Sequence, residues 1–240
     1  MENQLLLFLD FDGVICDSID ECFVSSWYAL FGGATDSSQS VSLSAHRQFV
    51  RYRPFIRRGA DYLLLQHCID GGIVLASQAD FDRQERLTGT ETMDAYHRKF
   101  YAARAYFLQN SSEYWLGLNR IYPGLAAVLP DVANDGWILT TKEADFAHRI
   151  LCSQGLAWDR GRIICTGKER KLDIIQNIME SEKAVHGIFI DDQIDHFSGL
   201  VYPKISCMLA SWGYIKTEWL NGKVETISLN SCIDLLRGLF

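Results

Sequence analysis

Apolar positions along this chain gather in short continuous runs, each closed by polar or acidic residues and followed by a segment of helical period. The first run, Leu5-Leu6-Leu7-Phe8-Leu9, leads straight into Asp10-Phe11-Asp12-Gly13-Val14. Five consecutive large apolar residues describe a strand covered on both faces, as in the middle of a parallel sheet. The pattern returns in the second half of the chain. Trp137-Ile138-Leu139-Thr140-Thr141-Lys142, Arg162-Ile163-Ile164-Cys165-Thr166, Gly187-Ile188-Phe189-Ile190-Asp191-Asp192 and the stretch from Ile205 to Ala210 each read as a strand. Helical segments separate them: Leu125 to Leu129, Ala144 to Gln154, Lys171 to Met179, and a closing helix from Cys232 to Leu239. Strands alternating with helices imply right-handed crossovers and a parallel sheet with helices on both faces, an α/β class with a Rossmann-like three-layer α/β/α core. The C-terminal ends of such strands share one edge, where open α/β sheets hold their ligands.

The intervening stretch has a different texture. Ile19 to Phe31 reads as a helix, with Ser18 placed to cap it and Gly32-Gly33 to stop it; Ala34 to Ser44 is rich in Ser, Thr, Gln and Asp and reads as a loop or hinge. An apolar run from Tyr62 to Cys68 follows, and Phe81 to Leu118 is helical in pattern, with Tyr96, Phe100, Ala103 and Phe107 at helix-compatible spacing. Gly72-Ile73-Val74-Leu75-Ala76 is the one strand-like run within it. These features describe a mainly helical domain, residues 19–118, inserted into an α/β core made of residues 1–18 and 119–240.

Composition narrows the partners. The net charge is −7 and no long run of Lys and Arg occurs, which argues against nucleic acid or an anionic membrane surface and leaves a small phosphorylated metabolite as a compatible partner. Seven cysteines, scattered singly without a Cys-x-x-Cys pair, fit reduced thiols in a cytoplasm better than a disulfide frame or a zinc site. Residues 1–9 lack a basic start and a small-residue cleavage site, and no apolar run is long enough to span a bilayer, so a cytoplasmic protein is expected.

The candidate chemistry sits at the strand ends. In a continued strand Asp10 and Asp12 would project to one side, and Gly13 would permit a sharp turn. Two crowded carboxylates call for a divalent cation or a shared proton. The run Asp10-Phe11-Asp12-Gly13-Val14 resembles the first motif of the haloacid dehalogenase superfamily in its phosphatase-like branch. Three further pieces follow in order: Thr140 after the second strand, Lys171 (or Lys168) at the start of the helix before the fourth, and Asp191-Asp192-Gln193-Ile194-Asp195 at the fourth strand's end. Tyr122-Pro123-Gly124 and Ser211-Trp212-Gly213-Tyr214 extend the likeness.

The resemblance implies that Asp10 is a nucleophile, Asp12 a general acid and base, and Thr140 and Lys171 groups that bind the transferring phosphoryl. Thr141 would be a substrate contact, and Mg2+ would be held by Asp10, the backbone carbonyl of Asp12, Asp191, and Asp192 or Asp195. The implied activity is magnesium-dependent hydrolysis of a phosphomonoester through an aspartyl-phosphate. A sugar phosphomutase, or a non-catalytic binding protein of the same superfamily, are the rival readings. The insertion resembles a helical C1-type cap. Within it Arg51, Arg53, Arg57 and Arg58 crowd around Pro54, and Arg53 and Arg57 are the expected substrate contacts, Arg53 in an extended backbone because a proline follows.

Overall fold

A computed structural model describes residues 4–32, 43–199 and 202–239. Along the chain the elements are β1 (Leu5–Leu9), β2 (Cys16–Asp17), α1 (Ile19–Phe31), α2 (Leu43–Tyr52), α3 (Gly59–Asp70), α4 (Gln78–Thr88), α5 (Thr90–Asn110) and α6 (Ser112–Gly117). They continue with β3 (Arg120–Ile121), α7 (Leu125–Val132), β4 (Gly136–Thr140), α8 (Ala144–Ser153), β5 (Ile163–Cys165), α9 (Lys171–Ser181), β6 (His186–Asp191), β7 (Ile205–Ala210), β8 (Glu225–Ile227) and α10 (Leu229–Leu239). Two compact units result, Met1–Asp17 with Arg120–Phe240, and Ser18–Asn119.

The first unit is a Rossmann-like α/β/α structure built on a parallel sheet of order β5-β4-β1-β6-β7-β8. Its central strand is the first apolar run. Leu6, Leu7, Phe8 and Leu9 are all buried, because β1 is flanked by β4 and β6 and covered on both faces; each such side chain contributes roughly 1.5–3 kcal/mol by leaving water. Leu6 and Phe8 face one layer, packing with Leu172, Ile175 and Met179 of α9 and with Phe189 of β6. The register sets Leu9 beside both Ile138 and Ile190, so the chain leaves β1, β4 and β6 at nearly the same height, with Asp10, Thr140 and Asp191 there. β2 and β3 pair antiparallel, Asp17 opposite Arg120, where the chain departs for the helical unit and returns. Neither this pair nor β8 was among the expected strands. The first has only two residues per strand, and β8 is a short edge strand with two exposed positions of three.

The second unit packs α1, α3 and α5 around Phe49, Tyr62, Leu63, Phe100 and Trp115. Its interior also holds a charged pair: Arg104 donates from Nε and Nη2 to the two oxygens of Glu21 at 2.9 and 2.7 Å, both residues buried. Ser25 donates to Glu21 at 2.7 Å and in turn accepts from Trp115 Nε1 at 3.0 Å. Gly72 to Ala76 is not a strand. Its amides pair with no strand: Ile73 N bonds to Cys68 O at 2.8 Å and Leu75 N to the Tyr52 hydroxyl at 3.5 Å, and Val74 is exposed. The loop expected over Ala34 to Ser44 lies mostly outside the described residues, and its last two positions, Leu43 and Ser44, already belong to α2. Among the described residues no helix is long and apolar enough to cross a membrane, and no disulfide is formed.

Candidate active site at the sheet edge

Asp10 stands one residue beyond β1, and Asp12 lies in the following turn, so the expected strand alternation does not place them. A tight loop does. The amides of Ile15 and Cys16 both bond to the Phe11 carbonyl at 3.0 and 2.9 Å, and Gly13 N bonds to Cys16 O at 2.9 Å. Gly13 has φ +92°, a conformation that side chains disfavour, and a Cβ there would meet Asp192 Oδ2 at 2.0 Å. Gly213 is excluded from change by the same crowding, its Cβ position lying 2.3 Å from Asp192 Cβ and 2.5 Å from Gly13 O. The turn after β7 is thereby pressed against the Asp10 loop. Trp212 Nε1 donates to Val14 O at 3.0 Å, and the Tyr214 hydroxyl donates to Asp17 at 2.8 Å.

Two ammonium groups meet two carboxylate sets at this edge. Lys171, the first residue of α9, is buried with Nζ 2.9 Å from Asp10 Oδ1 and 2.8 Å from Asp191 Oδ2. Lys142, two residues beyond Thr140, is buried with Nζ 2.8 Å from Asp12 Oδ1. Between the two lysines proposed for α9's start, the geometry separates them cleanly: Lys168 is exposed in the preceding turn. Thr140 is buried; its hydroxyl accepts from Lys142 N at 3.1 Å, and its carbonyl accepts from Thr166 N at 2.8 Å, tying the ends of β4 and β5 together. Thr141 is half-buried between Thr140 and Lys142.

Burial governs the charges. It pushes the Asp10 carboxyl up to about 6, opposed by Lys171 and reinforced by Asp191. Burial also works against Asp191, yet His196 and Lys171 hold it well below the ordinary carboxylate range. Lys171 is desolvated as well, and the two aspartates outweigh that and raise it. Desolvation, more than the neighbouring Asp191, is what raises Asp10.

One ligand atom from each of Asp10, Asp191 and His196 lies within 4.8 Å of the others. Two carboxylate oxygens and an imidazole nitrogen suit a divalent cation, and its charge would relieve the strain on Asp10. Of the acids expected to hold a metal, Asp10 and Asp191 belong to this converging set. The side chain of Asp12, whose expected ligand atom is its backbone carbonyl, faces Lys142; Asp192 accepts from Tyr214 N at 2.6 Å, and Asp195 is exposed in a short 3-10 turn, Ile194–Phe197. His196 and Lys142 were not anticipated. Lys142 was within reach of the strand-end argument that selected Thr140, whereas no pattern marks a His five residues beyond Asp191.

The arginines lie in the helical unit. Arg53 opens a 3-10 turn, Arg53–Phe55, instead of an extended segment, because Pro54 occupies the first turn, where its missing N–H is tolerated. Its guanidinium is buried over the Tyr62 ring, 5.3 Å from the centroid. Arg57 pairs with Asp82 at 2.7 Å, and Arg58 pairs with Asp61 and Glu85, so acidic side chains of α3 and α4 balance this part of the cluster.

No protein-family model and no curated protein matches the sequence. Solved structures do match over its whole length. A predicted phosphatase from Clostridium acetobutylicum aligns with a TM-score of 0.57 at 17% identity, over 99% of this chain and 98% of that one. A haloacid dehalogenase-like hydrolase from Streptococcus pneumoniae aligns with a TM-score of 0.57 at 15% identity, over 100% of both chains. The Mycobacterium tuberculosis protein named Protein Tyrosine Kinase A also aligns with a TM-score of 0.57, at 13% identity over 98% of this chain and 99% of that one. Identities this low establish architecture and leave chemistry to the site. The chain has the fold of the haloacid dehalogenase-like proteins.

Proposed function

We propose that the chain is a phosphomonoester hydrolase in which Asp10 attacks phosphorus and carries the phosphoryl group as an aspartyl-phosphate. The observation that carries this reading is the Lys171 ammonium held between Asp10 and Asp191 at the C-terminal edge of the sheet. A carboxylate flanked by fixed positive charge is poised to receive the phosphoryl group of a dianionic monoester, a transfer whose catalysis consists largely of positioning and electrostatic stabilisation. Asp12 delivers a proton to the leaving oxygen and then takes one from the hydrolytic water, with Lys142 fixing its orientation. Thr140 and the backbone after it hold the phosphoryl oxygens. Asp10 and Asp191 are the acids that would hold a divalent cation, Mg2+ or a related ion, which when bound supplies further neutralisation of those oxygens. The helical unit, residues 18–119, serves as a cap that selects a small phosphorylated metabolite.

The test is a screen of phosphorylated metabolites and a nitrophenyl phosphate with added divalent cation, with products identified. Release of inorganic phosphate, lost on chelation and in Asp10→Asn, supports the reading. An isomerised sugar phosphate without free phosphate would establish the mutase instead, and activity that survives in Asp10→Asn would remove the nucleophile.

A further inference from the structure

We propose that a cleft at the sheet edge opposite Asp10 binds a small oxyanion, a carboxylate or phosphate carried by a metabolite, through Trp158 and Arg162. The inference stands apart from the reading of the catalytic edge and survives its failure. The cleft lies within the first unit and has a volume of about 630 Å³, in the range of small-molecule sites. Asn134 reaches it from the connection entering β4, His148 from α8, and Trp158, Asp159 and Arg162 from the connection entering β5. Because β4 and β5 are parallel, both connections meet their strands at the N-terminal ends, whereas the catalytic groups stand at the C-terminal ends.

Two donors in this cleft lack acceptors. Trp158 is 5% exposed, and among the described residues neither its indole nitrogen Nε1 nor Arg162 Nη1 has a hydrogen-bond partner, although both atoms are buried. An indole N–H and a guanidinium can only donate, so each is satisfied by an acceptor atom and by nothing else. Arg162 also forms no ion pair among the described residues; its guanidinium lies over the Trp137 ring, 5.0 Å from the centroid, a contact that supplies no acceptor oxygen. The one acid lining the cleft, Asp159, is engaged at the start of the 3-10 turn Arg160–Arg162, where its carboxylate accepts from Gly161 N at 2.9 Å. The indole is placed by packing: a Cβ at Gly136 would meet two of its ring carbons at 2.8 Å, so the ring lies directly against the first residue of β4. An unsatisfied buried donor costs stability, and two of them on side chains that line one cleft fit a site completed by a ligand. Oxyanions suit it best, because carboxylate and phosphate oxygens accept from a guanidinium in pairs and keep lone pairs for the indole.

The test is NMR of the whole chain labelled at its tryptophan indoles, with Trp158→Phe identifying the Trp158 signal and with benzoate, inorganic phosphate and neutral benzamide as probes. Millimolar benzoate or phosphate is expected to move the Trp158 N–H signal downfield and saturably, and benzamide much less. The Trp115 N–H, which already donates to Ser25 in the helical unit, should stay in place. A tighter response to benzoate assigns the site to carboxylates, and a tighter response to phosphate assigns it to phosphorylated metabolites. Arg162→Met keeps an unbranched stem against Trp137 and should weaken binding about tenfold or more, the loss of a charge-assisted bond. A Trp158 signal that neither oxyanion moves in the wild type overturns the proposal without any variant, and phosphate bound only at the catalytic edge gives that result. It is overturned equally if benzamide matches the oxyanions, if Trp115 moves in step with Trp158, or if Arg162→Met, folded by its melting temperature, binds as the parent does.

Discussion

Buried charge is handled in opposite ways in the two units. In the helical unit Glu21 and Arg104 meet fork to fork, one carboxylate to one guanidinium, and Ser25, itself accepting from Trp115, donates to the same carboxylate. The guanidinium also lies over the Phe100 ring at 4.2 Å, and Arg104 stays firmly charged. At the sheet edge, Lys171 serves two carboxylates at once, and Asp10 is pushed up to about 6. A closed network specifies packing; a desolvated edge that shares one ammonium is prepared to bind something. The contrast predicts that substitutions in one place alter stability and in the other alter chemistry.

The largest effect is expected at the edge. Asp10→Asn keeps the side-chain shape and should lower phosphatase turnover by about a thousandfold or more, while its melting temperature stays at or above that of the parent, because the substitution removes a desolvated charge. A loss of both would place Asp10 in the fold's support. Next comes the closed pair. Arg104→Met leaves Glu21 buried without its partner and should cost about 3–5 kcal/mol in denaturant unfolding, whereas Glu21→Leu combined with Arg104→Met should recover most of it. A single variant as stable as the parent would show that the pair is not desolvated in solution.

The third prediction concerns Asp61, whose carboxyl is pushed up to about 6 by burial despite hydrogen bonds from the Arg57 and Arg58 amides. A carboxyl that holds its proton more tightly when folded stabilises the fold below the unfolded value and loses that contribution as pH rises toward 6. Stability should therefore fall between about pH 4 and 6, by at most about 3 kcal/mol from this group. Asp61→Asn should flatten that slope in unfolding titrations; an unchanged slope would assign it elsewhere. The smallest effect is expected at Lys142. Removing it in Lys142→Met should slow hydrolysis of alkyl phosphates about ten- to hundredfold and nitrophenyl phosphate less, because only the alkoxide needs the proton of Asp12 to leave. Equal losses would show that Lys142 supports binding and not proton delivery.

Much of this organisation is legible in the residues, for a physical reason. Runs such as Leu5–Leu9 and Gly187–Ile190 can satisfy both faces of a central strand and little else, and acids that end them are carried to a common edge by parallel topology. What escaped depends on contacts distant in sequence. The acidic partners of Arg57 and Arg58 include Asp82 and Glu85 on a different helix, and the turn carrying His196 is held in part by an aromatic contact with β6. The placement of Asp10 and Asp12 was expected from strand alternation, yet a loop bonded through Phe11 O does the work, and only Gly13 signals it.

The central claim, that Asp10 receives the phosphoryl group, is tested most directly by trapping. The protein is mixed with phosphate-labelled substrate, quenched in acid within one turnover, and mapped by peptide mass spectrometry. The account predicts a phosphorylated peptide containing Asp10, absent from Asp10→Asn. Label on another residue, or full single-turnover hydrolysis in Asp10→Asn, would contradict it.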